Sequence, residues 1–327
     1  MADTTMSTSA GGGTNDISQA MQDYFSRELL DTIEKTVVLD QFAMKSPLPA
    51  KGGGRNMTFF RYLEGDSSNV TQLTEGATPN TKALELEKVE VDLEQYGQVL
   101  SISDIADATA LFNNIEQATL RIGRDSALHL DSIIRAELFS NVTNVTDIFS
   151  GSTTSWGTSI TAADASDWLD AATALKINAA TPLDGGFIAI VGPQQARDLL
   201  ADSEWQEAHH YAEPQARLRG EIGRMHGVRF IETTEPFIAS DSGSQYTYDA
   251  TAAGDTFGSV VIGAQAYGVP ELSSQSTYSP KVYIINGADK NDPLNQKILV
   301  GFKSFFAAKT IQPKHVARVY SKTGYSA

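Results

Sequence analysis

The residues best suited to chemistry lie in one stretch, GEIGRMHGVRFIETT, from Gly220 to Thr234. Its three glycines, Gly220, Gly223 and Gly227, are interleaved with Arg224 and Arg229, a mixture that could cradle a phosphate. A phosphate cradle places glycines after a strand and before a helix N-terminus, where free N–H groups converge on the anion. The order here is reversed. Gly220 and Gly223 fall at the expected end of a short helix, Pro214 to Ile222, and Gly227 directly precedes the β-prone run Val228 to Glu232. Glycines so placed stop a helix and turn the chain. The three are therefore read as turn glycines, and the two arginines as partners for nearby carboxylates or carbonyls.

No other constellation does better. The run KGGGR, Lys51 to Arg55, lacks the Gly-Lys-Ser/Thr ending of a phosphate loop and reads as a hinge. His209 and His210 are adjacent, so on a helix they diverge and cannot share a metal ion. Trp156, Trp168 and Trp205 are expected in the core or an interface. The many carboxylates single out no acid and base pair. With no cysteine in the chain, disulfides, thiolate catalysis and cysteine zinc sites are excluded. The expectation is a protein with no active site, no cofactor and no metal.

Charge is the stronger signal. The net charge of −15 should repel nucleic acid on average, but it is unevenly spread. Between Glu64 and Glu94 there are eight acidic and two basic residues, including Glu75, Glu85, Glu87 and Glu90. From Lys297 to the end there are six basic residues and no acidic one: Lys297, Lys303, Lys309, Lys314, Arg318 and Lys322. These segments can pair within a subunit, pair between subunits, or form two separately solvated faces. No run of some 18 apolar residues predicts a membrane helix. The opening MADTTMSTSAGGGTND has neither a basic nor an apolar signal-peptide region and reads as a flexible arm.

The elements that must position these residues follow from periodicity. Asp16 caps a predicted helix to about Leu39, with Ile17, Met21, Phe25, Leu29, Ile33 and Val37 four apart. Residues 55–96 read as a long two-stranded arm with a polar tip, LTEGATPN, and a bulge or bend near Glu87–Lys88 where the apolar parity changes. A lone hairpin is marginal in water, so this arm needs a surface to lie on. A 36-residue helix is predicted from Ser103, with Ile105, Phe112, Ile122, Leu130 and Leu138 on its stripe. A central α/β region, about 142–270, has helices at Ala162–Asn178 and Pro193–Ala201 and strands at Phe187–Val191, Val228–Glu232 and Ser259–Tyr267. Strands at Lys281–Asn286, Ile298–Ala308 and His315–Tyr320 close the chain.

With these elements in place, the chain resembles the major capsid proteins of tailed double-stranded DNA phages, in the branch of N4-like podophages. The resemblance rests on Leu73-Thr74-Glu75-Gly76-Ala77-Thr78-Pro79, Gln95-Tyr96-Gly97, Ile102-Ser103-Asp104 and Gly220 through Thr233. Ala266-Tyr267-Gly268, Asp292-Pro293-Leu294, Gln296, Val300-Gly301 and Phe306-Ala307-Ala308 continue it in order, with Asn295 where glycine is expected. It implies an α+β tailed-phage capsid fold: an N-arm and helix (1–45), an extended E-loop hairpin (46–100), a peripheral domain with a spine helix and closing strands (101–141 and 271–327), and an axial domain (142–270). It implies a structural, non-enzymatic protein of the virion, assembled in a bacterial host's cytoplasm into an icosahedral head around DNA.

The intersubunit arm would use Leu73, Thr74, Glu75, Gly76, Pro79, Glu85, Glu87 and Glu90, and the basic C-terminal strip would face a neighbour or DNA. Expected partners are further copies in hexamers and pentamers, a portal, cement protein and non-specifically contacted DNA, with no membrane. Because the first helix starts near residue 16, a fused scaffolding domain is not expected and a separate scaffolding protein is. An encapsulin-like shell around enzyme cargo shares the fold, and a soluble enzyme with an unrecognised carboxylate site is the remaining alternative.

Overall fold

In the computed structural model the described residues are 37–47, 55–62, 70, 72–73, 75–76, 81, 83–109, 114–140, 144–151, 156, 160–183, 185–210, 221–239, 256–271, 281–287, 292–294 and 296–323. The predicted N-terminal helix up to residue 36, residues 51–54 of the KGGGR hinge, Thr74, Pro79, Gly220, Asn295 and the side chains of His209 and His210 lie outside them.

Strand β1 (Met44–Ser46) lies parallel to β11 (Tyr267–Pro270), which also pairs with β14 (Lys309–Thr310). The arm strands β2 (Asn56–Tyr62) and β3 (Leu86–Asp92) pair antiparallel, and β4 (Glu94–Ser103) follows after one residue. Helix α1 (Asp104–Thr109) and helix α2 (Asn114–Ser140) occupy the stretch read as one helix; 110–113 are not described, so a single 36-residue helix is not what is seen. At 27 residues, α2 is about 40 Å long at 1.5 Å per residue.

One face of α2, with Ile122, Ala127, Leu130, Ile134 and Leu138, is fully buried. The stripe works because positions three and four apart share a helix face. It packs against a three-stranded sheet, β12 (Lys281–Ile285), β13 (Lys297–Phe306) and β4, in that order. Alternation sorts β13 cleanly: Ile298, Val300, Phe302 and Phe306 point to α2, while Lys297, Leu299, Lys303 and Phe305 point away.

A larger sheet runs β5 (Thr146–Phe149), β15 (Val316–Ser321), β10 (Thr256–Ile262), β6 (Phe187–Val191), β8 (Val228–Glu232) and β7 (Glu221–Met225), with β9 (Phe237–Ala239) added to β10. Strand β6 is the uninterrupted apolar run FIAIV because both its faces are covered. Ile188 and Ile190 join the core with α2, whereas Phe187, Ala189 and Val191 meet Trp168 of α3 (Ala165–Ile177) and Leu199 of α4 (Pro193–Ala201). Trp205 of α5 (Ser203–His210) completes that second core, edge-on to Phe230. Helix α3 starts in a capping box, Asp164 accepting from the Ser166 N–H and Asp167 accepting from the Asp164 N–H. The closing strands part company here: β13 belongs to the small sheet and β15 to the large one.

Three local expectations are corrected. Glu221 and Ile222 form strand, not a helix end: β7 and β8 make a hairpin whose two-residue turn is His226-Gly227. Both turn residues have positive φ, 53° and 80°, the geometry that matches the twist of the flanking strands. Gly223 sits inside β7 beside a register shift, and no helix N-terminus follows, so there is no phosphate cradle. The bulge near Glu87–Lys88 is also absent, because β2 and β3 pair without a shift from Asn56↔Asp92 to Tyr62↔Leu86. Third, Ser259–Tyr267 is two strands, β10 and β11, separated by a turn with Gln265 at φ 57°.

Arg318, placed in the exposed basic strip by the sequence reading, is only 7% exposed. Its Nε donates to Asp147 Oδ1 at 2.6 Å and its Nη1 to the Phe139 carbonyl at 2.6 Å. The guanidinium thus closes the C-terminal end of α2, where carbonyls lack helical partners and the dipole favours a cation. Buried within the subunit, it is not part of an exposed basic strip. Arg318→Met should lower unfolding free energy in denaturant melts by about 3 kcal/mol, the low end for breaking a buried pair, because Asp147 keeps some solvent. A loss under about 0.5 kcal/mol would contradict this assignment.

Candidate assembly surfaces

The arm has a buried root and an exposed outer part. At the root Met57, Phe59 and Leu93 pack with Ala307 and Ile311 in a small core of their own. The Leu93 N–H donates to the Arg55 carbonyl at 2.8 Å and closes the strand pair. Phe59 also lies flat against the backbone of β11: a Cβ on Gly268 would stand 2.5 Å from the Phe59 ring. Arg61 bolts the next turn of the ribbon down. Its Nε and Nη2 donate to Glu87 Oε2 at 2.8 and 2.6 Å, and its Nη1 to the Ile311 carbonyl at 2.6 Å.

Further out the polarity inverts. Leu86 shares a face with Lys88 and Glu90, while Glu87, Val89 and Val91 turn inward, which is why the apolar parity changes there. Phe60, Tyr62 and Leu86 are more than half exposed on one face of the ribbon, and Leu84 and Leu73 stand at 78% and 72%. Contiguous exposed apolar side chains on a soluble chain mark an interaction surface. Glu75 and Glu85 are exposed beside them, and Gly76 takes a positive φ of 80° in the turn that begins at Glu75. The expected arm acids divide: Glu87 is held by Arg61 and Glu90 by Lys88 of the same strand.

The six C-terminal cations do not form one strip. Lys309 pairs with the buried Glu137 at 3.3 Å, and that carboxylate also accepts the Thr310 N–H. Arg318 is buried as described, and Lys322 lies beside Ala162 at the end of the large sheet. Lys314 is exposed on the short turn before β15. Only Lys297 and Lys303 share a surface, the outer face of the small sheet. Sequence reasoning missed their companion: Lys281 of β12 stands directly opposite Lys303. Two like charges in register are unfavourable, and none of the outward positions of β4, β12 and β13 is an acid, while the Asp292 carboxylate accepts the Lys297 N–H at 2.8 Å. Beside them Tyr283 and Val99 flank Gly301 in one cross-strand row, 45% and 64% exposed, and bound a depression of about 450 Å³ with Gly97 and Gln95. The ammonium of Lys303 sits 5.6 Å from the centre of the Phe305 ring.

The described surfaces are thus a rooted arm with an exposed acidic and apolar outer part, and a basic, apolar sheet face. The fold is that of known capsids. It matches the capsid of cyanophage P-SCSP1u with a TM-score of 0.61 at 14% identity, over 88% of this chain and 89% of that one. It matches the capsid of Ralstonia phage GP4 with a TM-score of 0.61 at 12% identity, over 100% and 96%. The capsid of cyanophage Pam1 aligns over the full length of both chains at 16% identity and a TM-score of 0.57. No curated protein sequence matches the chain. A family model described as phage capsid protein matches residues 86–319, and the chain belongs to that family. It is a structural major capsid protein, a component of icosahedral phage heads, and not an enzyme.

The seating of the arm root is open to a direct test. Gly268→Val drives a side chain into the Phe59 ring and should cost about 1–3 kcal/mol by overpacking. Protease cleavage at residues 55–62 should rise accordingly, while the large sheet keeps its protection. Unchanged cleavage and an unchanged melting curve would show that the root is not seated on β11.

Proposed function

We propose that the outer part of the arm is the device that joins subunits, and that it lies on the outer face of a neighbour's small sheet. The observation that carries this reading is complementarity. The arm offers Leu84, Leu86, Glu75 and Glu85, all exposed, and the sheet positions Tyr283, Val99, Lys281 and Lys303 include no acid. Covering the apolar groups removes them from water at roughly 25 cal/mol per Å², and the carboxylates relieve the lysine pair. Repetition around a closed shell multiplies each weak contact.

In this reading residues 1–45 act as an N-arm, residues 46–100 as the E-loop and residues 142–270 as the axial domain. The helix α2 belongs to the peripheral domain, with part of the closing strands. The subunits form hexamers and pentamers, and the shell meets packaged DNA, a portal, a separate scaffolding protein and cement protein. The motifs that run in order from Leu73 to Ala308 support placement in the N4-like podophage branch.

Charge reversal tests the contact. Lys281→Glu with Lys303→Glu should stop shell formation, read by sedimentation and negative-stain microscopy of protein expressed with its scaffolding partner. Glu75→Lys with Glu85→Lys should do the same, and the fourfold variant should recover shells. Normal shells from the double lysine variant would overturn the arm-to-sheet contact. A wild-type chain that stays monomeric under all conditions would overturn subunit joining by the arm.

A further inference from the structure

The segment that leads into the body, residues 37–47, is held by an unusual clasp. It crosses the middle of α2 as a short 3-10 turn, Leu39–Phe42, and then runs along β11 as β1. Asp131 of α2 is 4% exposed. Its two carboxylate oxygens accept the N–H groups of Val38 and Leu39 at 3.0 and 3.1 Å, across more than ninety residues of chain. On the other side the Tyr267 hydroxyl donates to the Leu39 carbonyl. Val37 and Leu39 enter the main core between these two anchors. Lys45 closes the segment on itself by pairing with Asp40 at 2.8 Å.

We propose that this clasp is a proton-controlled latch: the segment 37–47 is seated most firmly when Asp131 carries a proton, and loosens as Asp131 ionises. Burial sets the direction, against two N–H bonds that favour the anion. An anionic carboxylate taken out of water needs strong compensation, and here its hydrogen bonds come only from two neutral backbone donors. The charged groups around it oppose each other: Asp40 of the strap repels the anion, and Arg135, one turn along α2, favours it while also bonding the Glu235 carbonyl at 2.5 Å. From β11 the only titratable neighbour is Tyr267, itself fully buried and kept neutral by that burial.

Burial outweighs the two N–H bonds and raises the Asp131 carboxyl from 3.8 to about 6. A seated state with the higher pKa binds the proton more tightly than the open state, in which Asp131 meets water and returns to its ordinary value. The added seating is therefore fullest below about pH 4, is lost as pH rises through about 6, and changes little above that. The consequence is positional: the latch governs whether residues 37–47 stay seated on α2 and β11.

Hydrogen exchange on the full-length protein tests this, with the amides of Val38 and Leu39 as reporters and intrinsic exchange rates divided out. Protection at these amides should fall roughly tenfold between pH 5 and pH 8 for a group shifted this far, while amides of β6 and β10 keep their protection. Asp131→Asn, neutral throughout, should abolish the pH dependence and hold the segment at its acid-state protection. If that variant fails to fold, the wild-type series still decides. Protection that is flat with pH, or that rises with pH, would overturn the latch, as would a steep slope retained in Asp131→Asn.

Discussion

The antiparallel ladder between β4 and β13 is the constraint on which the other parts depend. It runs unbroken through ten residue pairs, from Lys297↔Ser103 to Phe306↔Glu94. Its first β4 residue comes one position after the arm root, and its last immediately precedes α1. The ladder therefore sets both where the arm leaves the body and where the helical segment begins. Its inner face, Leu100 and Ile102 with Val300 and Phe302, lies on α2, and its outer face carries the glycine depression and the lysines. One strand pair thus gives the molecule its core wall and its candidate contact surface, because side chains alternate across a sheet.

The arm shows how a chain can carry an element that is only half satisfied by itself. Phe59, Met57 and Leu93 are buried and Arg61 spans to the body, so the root has ordinary tertiary support. Beyond it Tyr62 and Leu86 are paired with each other in register but stay more than half exposed. A two-stranded ribbon with both ladder edges free is poorly stable alone, and exposed edges are a hazard that proteins normally blunt. In the proposed arm contact a neighbouring copy would supply the missing layer, and the folding of the ribbon would then be tied to assembly.

Much of this was legible in the sequence, and what was not is explained by contacts far apart in the chain. The α2 stripe from Ile122 to Leu138 and the two-sided strand Phe187–Val191 announce themselves because burial follows a local period. Strand β4 was hidden because Gly97 and the outward Val99 break its alternation. The hairpin at 225–228 was read as the end of a helix because His226, rather than the usual Asn or Asp, takes the first positive-φ position before Gly227. Leu84 and Leu86 both stand outward, at 78% and 52% exposure, where a lone ribbon has no core to offer them. The division of the basic residues could not be read locally. Asp147 lies 171 positions from Arg318, and Glu137 lies 173 positions from Thr310. Only the fold shows which cations are consumed internally and brings Lys281 to Lys303.

The most direct measurement is amide hydrogen exchange along β2 and β3, compared between dissociated subunits and assembled shells at one pH. The account predicts that amides at the root, Met57, Phe59 and Leu93, are protected in both. It predicts that amides at Tyr62, Leu86 and Lys88 exchange readily in the subunit and slow at least tenfold in the shell. Equal protection of those outer amides in both states would mean that the ribbon is complete without a neighbour, and would contradict the claim that the arm joins subunits.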